Sequence, residues 1–425
     1  MPEKYFDKTL ETMPLGQRRK YELRELRRML RHAYAHCEGV RKQLNRAGIK
    51  PEQVKTLGDL EKIPVLGKDE LRGLQEQSPP FGGYLGAPPK SLRSVFCSPG
   101  PMFEPHESSD AYYTRHARVF YNAGLRKGDI LLSTFSYHMV PAGLLVHESA
   151  NRVGATAIPT GPGNTELQIE IMRTLGVTAY IGTPSFLAAL IARAEEKGYV
   201  FQRDFRLRKA LCSVEVLTPS MRSNLESYGL NVTQCYACAD IGNFAYECSR
   251  KNGFHICEEV FVEIVDPVTK SKLGAGEVGE VVVTPLDARV YPLVRFGIGD
   301  LSQYTDETCA CGRTSIRIQG FLGRVGEAVK VRGMFLHPRQ VGDFLSSFAE
   351  VSCWSAIVTR ARQRDELELR LELNAGTSSP EQLTDRISSK FAETCRVKVD
   401  KVECLTEGAI PDEEAAKVID RREWK

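Results

Sequence analysis

Long apolar runs are missing from this chain of 425 residues: no stretch approaches the ~18 consecutive apolar residues that a bilayer span requires. The opening segment MPEKYFDKTLETMPLGQRRKYE has no apolar core of the kind a secretory signal carries. An excess of one charge is missing too. Lys and Arg number 57 against 54 Asp and Glu, a formal net charge of +3, which over this length builds no field for nucleic acid or a membrane surface. No internal repeat, low-complexity tract, Ser/His/Asp set or carboxylate pair stands out. These absences predict a soluble cytoplasmic protein without nucleic-acid or membrane partners. Cysteine, by contrast, is plentiful, with twelve residues. With no secretory features and a Cys-x-Cys spacing, these cysteines read as residents of a reducing cytosol, some of them on metal rather than in disulfides.

The length exceeds what one hydrophobic core organises, so two or more domains are expected. Leu23, Leu26, Met29, Leu30, Ala33 and Tyr34 recur at helical spacing, with Arg24, Arg27, Arg28 and Arg31 on the other faces. Thr56-Leu-Gly-Asp-Leu and Pro64-Val-Leu-Gly-Lys-Asp-Glu-Leu read as two short helix starts. From Asp110 to Leu217, apolar strands at Ile130, Ala155, Thr178 and Lys209 alternate with helical stretches such as Thr165 to Leu175 and Ser185 to Lys197. That alternation implies crossover units and a mostly parallel sheet, with ligands at the carboxyl ends of its strands. After Phe261 the pattern becomes that of an antiparallel hairpin region. Past Gly333, about a hundred residues of mixed helix and strand have the size of a separate small domain.

The densest chemistry lies between Pro292 and Val341. An apolar strand ending in Gly299-Asp300 can present a carboxylate at a cleft, where it accepts hydrogen bonds from a hydroxyl pair; alone, it reads equally well as a turn aspartate. Cys309-x-Cys311, taken with Cys248 and His255, makes a Cys3His set suited to a closed tetrahedral structural Zn2+ site. Cys235, Cys238 and Cys257 are rival ligands, and buried apolar cysteine is the alternative.

This run resembles the phenylacetate-CoA ligase branch of the adenylate-forming, AMP-binding superfamily. That branch has Arg-Tyr-Arg-Thr-Gly-Asp, then Cys-Pro-Cys-Gly-Arg, Gly-Arg-x-x-Asp and Arg-Gly; here stand Arg295-Phe296-Gly297-Ile298-Gly299-Asp300, Cys309-Ala310-Cys311-Gly312-Arg313, Gly323-Arg324-Val325-Gly326-Glu327 and Arg332-Gly333. The N-terminal order of elements is similar as well, so the resemblance covers nearly the whole chain. It implies an α/β adenylate-forming fold: a large N-terminal AMP-binding domain over 1–322, with helix-covered parallel sheets and a β-rich subdomain, and a small mobile α+β lid over 323–425. It implies that Asp300 and Arg324 hold the ribose of AMP, that Val325 to Glu327 is the hinge, and that Cys248, His255, Cys309 and Cys311 match the family's cysteine pattern. Where the family carries Gly-Gly-Glu and Tyr-Gly-x-Thr-Glu, this chain has Ser213-Val214-Glu215 and Tyr236-Ala237-Cys238-Ala239-Asp240. By that likeness Glu215 sits beside adenine, Tyr236 stacks on it, and Asp240 replaces the Mg2+-binding glutamate. Phe135 to His138 and Gly161 to Thr165 would line an acyl pocket.

Two places depart from the family. Its phosphate loop, Ser-Ser-Gly-Thr-Thr-Gly-Lys-Pro, becomes Ser98-Pro99-Gly100-Pro101-Met102-Phe103-Glu104-Pro105, with Ser98 and Gly100 left to face phosphate and Glu104 in the lysine's place. The C-terminal catalytic lysine falls on Glu414, leaving Lys417 as the nearest cation. The resemblance therefore implies an AMP-forming ligase that uses ATP, Mg2+ and CoA on an aryl, phenylacetate-like acid, with a homodimer as a possible assembly. The alternatives are a ligation-deficient homologue that binds nucleotide or acyl-CoA, and an adenylyltransferase of the deazaflavin-cofactor type.

Overall fold

Apolar alternation in the first two-thirds of the chain is resolved into two large sheets and one two-stranded hairpin. The computed structural model describes residues 4–422 apart from 99–100, 268, 278, 326–328, 333, 337, 362–363, 375–379 and 396. The chain divides into two compact units, Met1–Leu217 with Arg222–Val325, and Thr218–Met221 with Gly326–Lys425. The break follows Val325, where the sequence placed it after 322.

In the first unit, strands Ile130–Ser133, Thr156–Pro159, Ala179–Gly182 and Lys209–Cys212 form the parallel half of a nine-stranded sheet. Helices Ala142–Arg152, Thr165–Thr174 and Pro184–Glu196 are the crossovers. Their starts are written locally: Thr183 accepts the Phe186 amide and Pro184 occupies the first turn, where its missing N–H costs nothing. Strand Asn231–Cys238 joins the two halves. Its first residues pair in parallel with Lys209–Cys212, while Cys235 to Cys238 pair antiparallel with Gly242–Glu247. The antiparallel region thus starts before Phe261, because the tight turn at 239–241 returns the chain beside itself.

A second, five-stranded sheet joins Leu66–Gly67, Phe296–Ser302, Gly279–Pro285 and Val260–Val265, with Gly323–Arg324 on Phe296–Ser302. The expected first helix is Leu15–His36, burying Leu26, Met29, Leu30 and Ala33. Of the two short starts, Leu57–Lys62 is a 3-10 turn, and the second yields strand Leu66–Gly67 followed by helix Lys68–Gln77.

The second unit is a four-stranded sheet in the order Lys401–Leu405, Arg364–Leu373, Val351–Ala361, Lys417–Asp420, with helices Pro338–Leu345 and Pro380–Cys395. Val358, Leu367, Leu369, Ile387 and Phe391 fill a core of its own. Among the described residues, no helix is long and apolar enough to cross a membrane.

Candidate functional site

Strand Phe296–Ser302 carries the carboxylate that anchors the site. Its pairing with Gly323–Arg324 sets Asp300 opposite Arg324, and Arg324 Nε lies 2.9 Å from Asp300 Oδ1. From the neighbouring sheet, the Tyr236 hydroxyl donates to Asp300 Oδ2 at 2.8 Å. Burial, reinforced by the charge of Asp300, pushes the Tyr236 phenol well above its usual range, so it stays a donor. Its ring packs on Phe244 at 4.8 Å between centroids. Tyr236, expected on the adenine face, is a half-buried aromatic whose hydroxyl orients Asp300. A carboxylate held this way keeps lone pairs free for a pair of neighbouring hydroxyls.

Glu215 follows strand Lys209–Cys212 at its carboxyl end. The Ser185 amide reaches its Oε2 at 3.4 Å, and Gln234 Nε2 donates to its carbonyl at 2.8 Å. Beside it, Val214 holds φ at +77°, a conformation that a β-branched side chain adopts only under strain. Val214→Gly should raise the unfolding free energy by about 1 kcal/mol, the relieved strain exceeding glycine's added chain entropy. Urea titration checks this, and unchanged or lower stability would count against strain at Val214.

The segment expected as the phosphate loop is a hairpin of Val95–Ser98 and Met102–Pro105; Gly100 lies outside the described residues. Ser98 Oγ donates to Glu104 Oε1 at 2.6 Å. Glu104 is buried, and that burial, with the nearby charge of Asp240, pushes its carboxyl up to about 7. Asp240, in the turn after Asn231–Cys238, accepts from Lys68 Nζ at 3.1 Å. Burial opposes the Lys68 charge, but Asp240 and Glu104 outweigh it and hold the ammonium above its usual range. Lys68 opens helix Lys68–Gln77 directly after strand Leu66–Gly67, which pairs with Phe296–Ser302 through Leu66 and Phe296. The strand that presents Asp300 therefore also places an ammonium at the loop. The sequence reading passed over Lys68; the signal available was a lysine at a strand-to-helix junction in a chain whose loop lacks one.

Helix Asp110–Asn122 fixes the Asp240 turn. Arg115 Nη2 donates to the Ile241 carbonyl at 2.9 Å, and the Asn243 amide donates to His116 Nε2 at 2.9 Å. His116 Nδ1 lies 2.6 Å from the Tyr112 carbonyl, which assigns its proton to Nδ1. Only glycine fits at 242, where φ is +81° and a Cβ would meet His116 Nε2 at 2.2 Å. Burial, aided by Arg115, keeps the imidazole well below its usual range. The unfolded chain therefore takes up a proton that the folded chain refuses. This stability is fully present above the ordinary histidine range and is lost as pH falls towards the depressed folded value, at no more than about 1.4 kcal/mol per pH unit. Urea titrations at pH 7 and 5 should show His116→Gln losing less stability on acidification than the parent chain; equal losses would remove His116 as a cause.

The proposed acyl-pocket segments follow adjacent parallel strands. Phe135 to His138 succeeds Ile130–Ser133, Gly161 to Thr165 succeeds Thr156–Pro159, and the Gly161 amide bonds the Ser133 carbonyl at 3.1 Å.

Cys248, His255, Cys309 and Cys311 converge, with all four ligand atoms within 4.8 Å of one another. Cys248 Sγ and Cys309 Sγ are 3.8 Å apart, and Cys311 Sγ lies 3.4 Å from His255 Nε2. A tetrahedron with Zn–S bonds of ~2.3 Å has S···S edges of about 3.8 Å. His255 Nδ1 meets Ser315 Oγ at 3.2 Å, and the Arg250 and Arg313 amides donate to Cys248 and Cys311 sulfurs, each at 3.4 Å. Those contacts orient ligands as an outer shell does. Cys257 instead faces the Asn243 carbonyl, and Cys235 and Cys238 stay on their strand outside the cluster.

In the second unit, Lys417 begins strand Lys417–Asp420, in register with Ser355, and Glu414 is ion-paired with Arg421. Of the hinge residues, Gly326 and Glu327 lie outside the described residues, while the Val325 amide donates to the Gly299 carbonyl at 2.7 Å.

Two families match: AMP-binding enzyme over residues 107–285 and AMP-binding enzyme C-terminal domain over 333–422. The chain is 31% identical over 380 residues to a phenylacetate-coenzyme A ligase of Thermus thermophilus, covering 86% of this chain and 83% of that protein. It is 27% identical to one of Escherichia coli, covering 97% of each. Among solved structures, 2-hydroxyisobutyryl-CoA ligase in complex with 2-HIB-AMP and CoA superposes with a TM-score of 0.91 at 28% identity, over 99% of this chain and 93% of the other.

Proposed function

This chain belongs to the phenylacetate-coenzyme A ligase family of AMP-binding enzymes, and on that premise we propose that it activates a carboxylic acid with ATP to an acyl-adenylate and passes the acyl group to CoA. An aryl acid of phenylacetate type is the proposed substrate. The observation that carries the reading is the Tyr236–Asp300–Arg324 constellation, a carboxylate fixed from both sides and able to bind a ribose diol.

In this reading Asp300 accepts from the two ribose hydroxyls, Arg324 balances its charge, and Glu215 lies at the end of a parallel strand on the adenine side. Lys68 offers its ammonium to the phosphates as they arrive, and Lys417 is the residue that the resemblance leaves nearest the position of the family's C-terminal lysine. Asp240 would hold Mg2+, whose chemistry is to draw charge off the phosphates; its buried Oδ1, without a hydrogen-bond partner, fits a hard cation. Zn2+ would be held by Cys248, His255, Cys309 and Cys311 as a structural ion. The ligation-deficient alternative rested on an anionic loop with no lysine, and Lys68 beside Glu104 and Asp240 removes most of that support.

The deciding experiment is carboxylate-dependent ATP–pyrophosphate exchange on zinc-replete protein, across a panel of aryl and short acyl acids. Exchange above background with at least one acid is expected. No exchange alongside measurable AMP or CoA binding would return the reading to a binding protein.

A further inference from the structure

Among the described residues, Glu104 Oε2, Asp240 Oδ1 and the Tyr291 hydroxyl are buried without a hydrogen-bond partner, and the other unpartnered polar side chains on the same cavity, Arg115 and Asp287, are ion-paired with each other at 3.2 Å. Glu104 and Tyr291 are each 3% exposed, and the Asp240 side chain is 1% exposed. All three side chains line one cavity, together with Phe96, Ala239 and Ala288. A buried polar atom without a partner costs roughly 1–3 kcal/mol. Three of them on one cavity mark a place where a polar occupant belongs, and the phenol is an observation independent of the carboxylates.

The charges narrow the occupant. Glu104 and Asp240 face a single ammonium, that of Lys68. Lys68 takes Asp240 Oδ2 and Ser98 takes Glu104 Oε1, so one oxygen of each carboxylate is left over. Hard oxygen ligands suit Mg2+ and Mn2+, and Mg2+ is commonly held by one or two carboxylates with water and phosphate completing its shell. Two carboxylates with a divalent cation sum to −1 − 1 + 2 = 0, and Lys68 beside them brings the group to +1, the charge of the lysine ammonium that the resemblance calls for at position 104.

We infer that Glu104 and Asp240 form a two-carboxylate seat for a divalent cation of the Mg2+ class, which neutralises both anions and leaves Lys68 as the net positive charge at a loop that lacks its lysine. Tyr291 offers its hydroxyl to the same cavity as a hydrogen-bonding group for bound water. That the cation meets polyphosphate rests on the ligase reading; that it binds does not. The site is distinct from the Cys3His cluster, whose sulfur ligands select a softer ion.

Mn2+ is the probe, followed by electron paramagnetic resonance on the zinc-replete full chain without nucleotide or acid. One Mn2+ per chain, displaced by Mg2+, is expected. Glu104→Gln and Asp240→Asn should each weaken it at least tenfold, and Tyr291→Phe about twofold to threefold, with far-UV circular dichroism showing each variant folded. Glu104→Lys places an ammonium at the seat and should abolish the signal, which serves if Glu104→Gln fails to fold. Absence of the Mn2+ site in the parent chain, or its full retention in Glu104→Gln or Glu104→Lys, would overturn the inference. Loss in Asp240→Asn alone would assign the ion to Asp240 and overturn the role of Glu104. Mn2+ binding without pyrophosphate exchange in the parent chain would strike the ligase reading and leave the seat standing.

Discussion

Replacing Lys68 with methionine should lower carboxylate-dependent pyrophosphate exchange by ~10²-fold or more, the usual consequence of removing a cation that meets developing charge in a buried site. The physical case is the shortage of alternatives near the loop. Position 104 is a glutamate, both loop threonines of the family pattern are gone, and Pro99 and Pro101 cannot donate. What remains is an ammonium brought from helix Lys68–Gln77, 3.1 Å from Asp240. Methionine keeps the length of the side chain and removes only the charge. Lys68→Arg should recover part of the rate, since charge survives while the compact ammonium does not. The loss should fall on kcat with a smaller change in nucleotide affinity, because the Asp300–Arg324–Tyr236 constellation proposed for the ribose is untouched. A methionine variant that folds and exchanges at the parental rate would exclude Lys68 from the phosphate site.

The same residue shows where sequence reading reaches and where it stops. Asp300 and Arg324 were legible because both belong to one short run, and strand pairing turns that closeness into a direct contact. The Cys3His cluster was legible for a related reason: Cys309 and Cys311 are near neighbours, and Cys248 directly follows the strand that pairs antiparallel with the strand of His255. The parallel-sheet architecture followed from alternation alone. Lys68, however, is 172 positions from Asp240, and no periodicity links them; they meet through elements of two different sheets. Glu104 was read as an anion facing phosphate because its partners, Ser98, Asp240 and Lys68, come from three different segments. The Tyr236 hydroxyl bond to Asp300 is a further partner from a distant segment that the motif alone does not show. Charge and shape at a site are properties of several segments at once, and single motifs report only their own share.

Removing zinc is the second change with a large expected effect. Protein purified without chelator should contain one Zn2+ per chain, and stripping it, or substituting Cys311→Ser, should lower Tm by on the order of 10 °C, as expected for a loss of several kcal/mol in a unit of this size. The reason lies in what the cluster ties together. Cys248 follows strand Gly242–Glu247, His255 belongs to strand Phe254–Ile256, and Cys309 and Cys311 lie in the loop before strand Arg317–Ile318. Without the ion, three buried thiols and an imidazole face one another with no cation between them. The damage should spread to the N-terminal segment, which docks on the same loop: the Tyr5 hydroxyl donates to the Cys311 carbonyl at 2.9 Å, and Arg313 lies 2.7 Å from the buried Glu11. Limited proteolysis of the zinc-free protein should therefore cut first near residues 4–14, well before the parallel sheet is attacked. Cys257→Ser, outside the cluster, should leave the zinc content unchanged. Metal analysis that finds no zinc in the parent chain, or full zinc in Cys311→Ser, would reduce the four residues to a buried polar cluster, and the Tm difference would then need another cause.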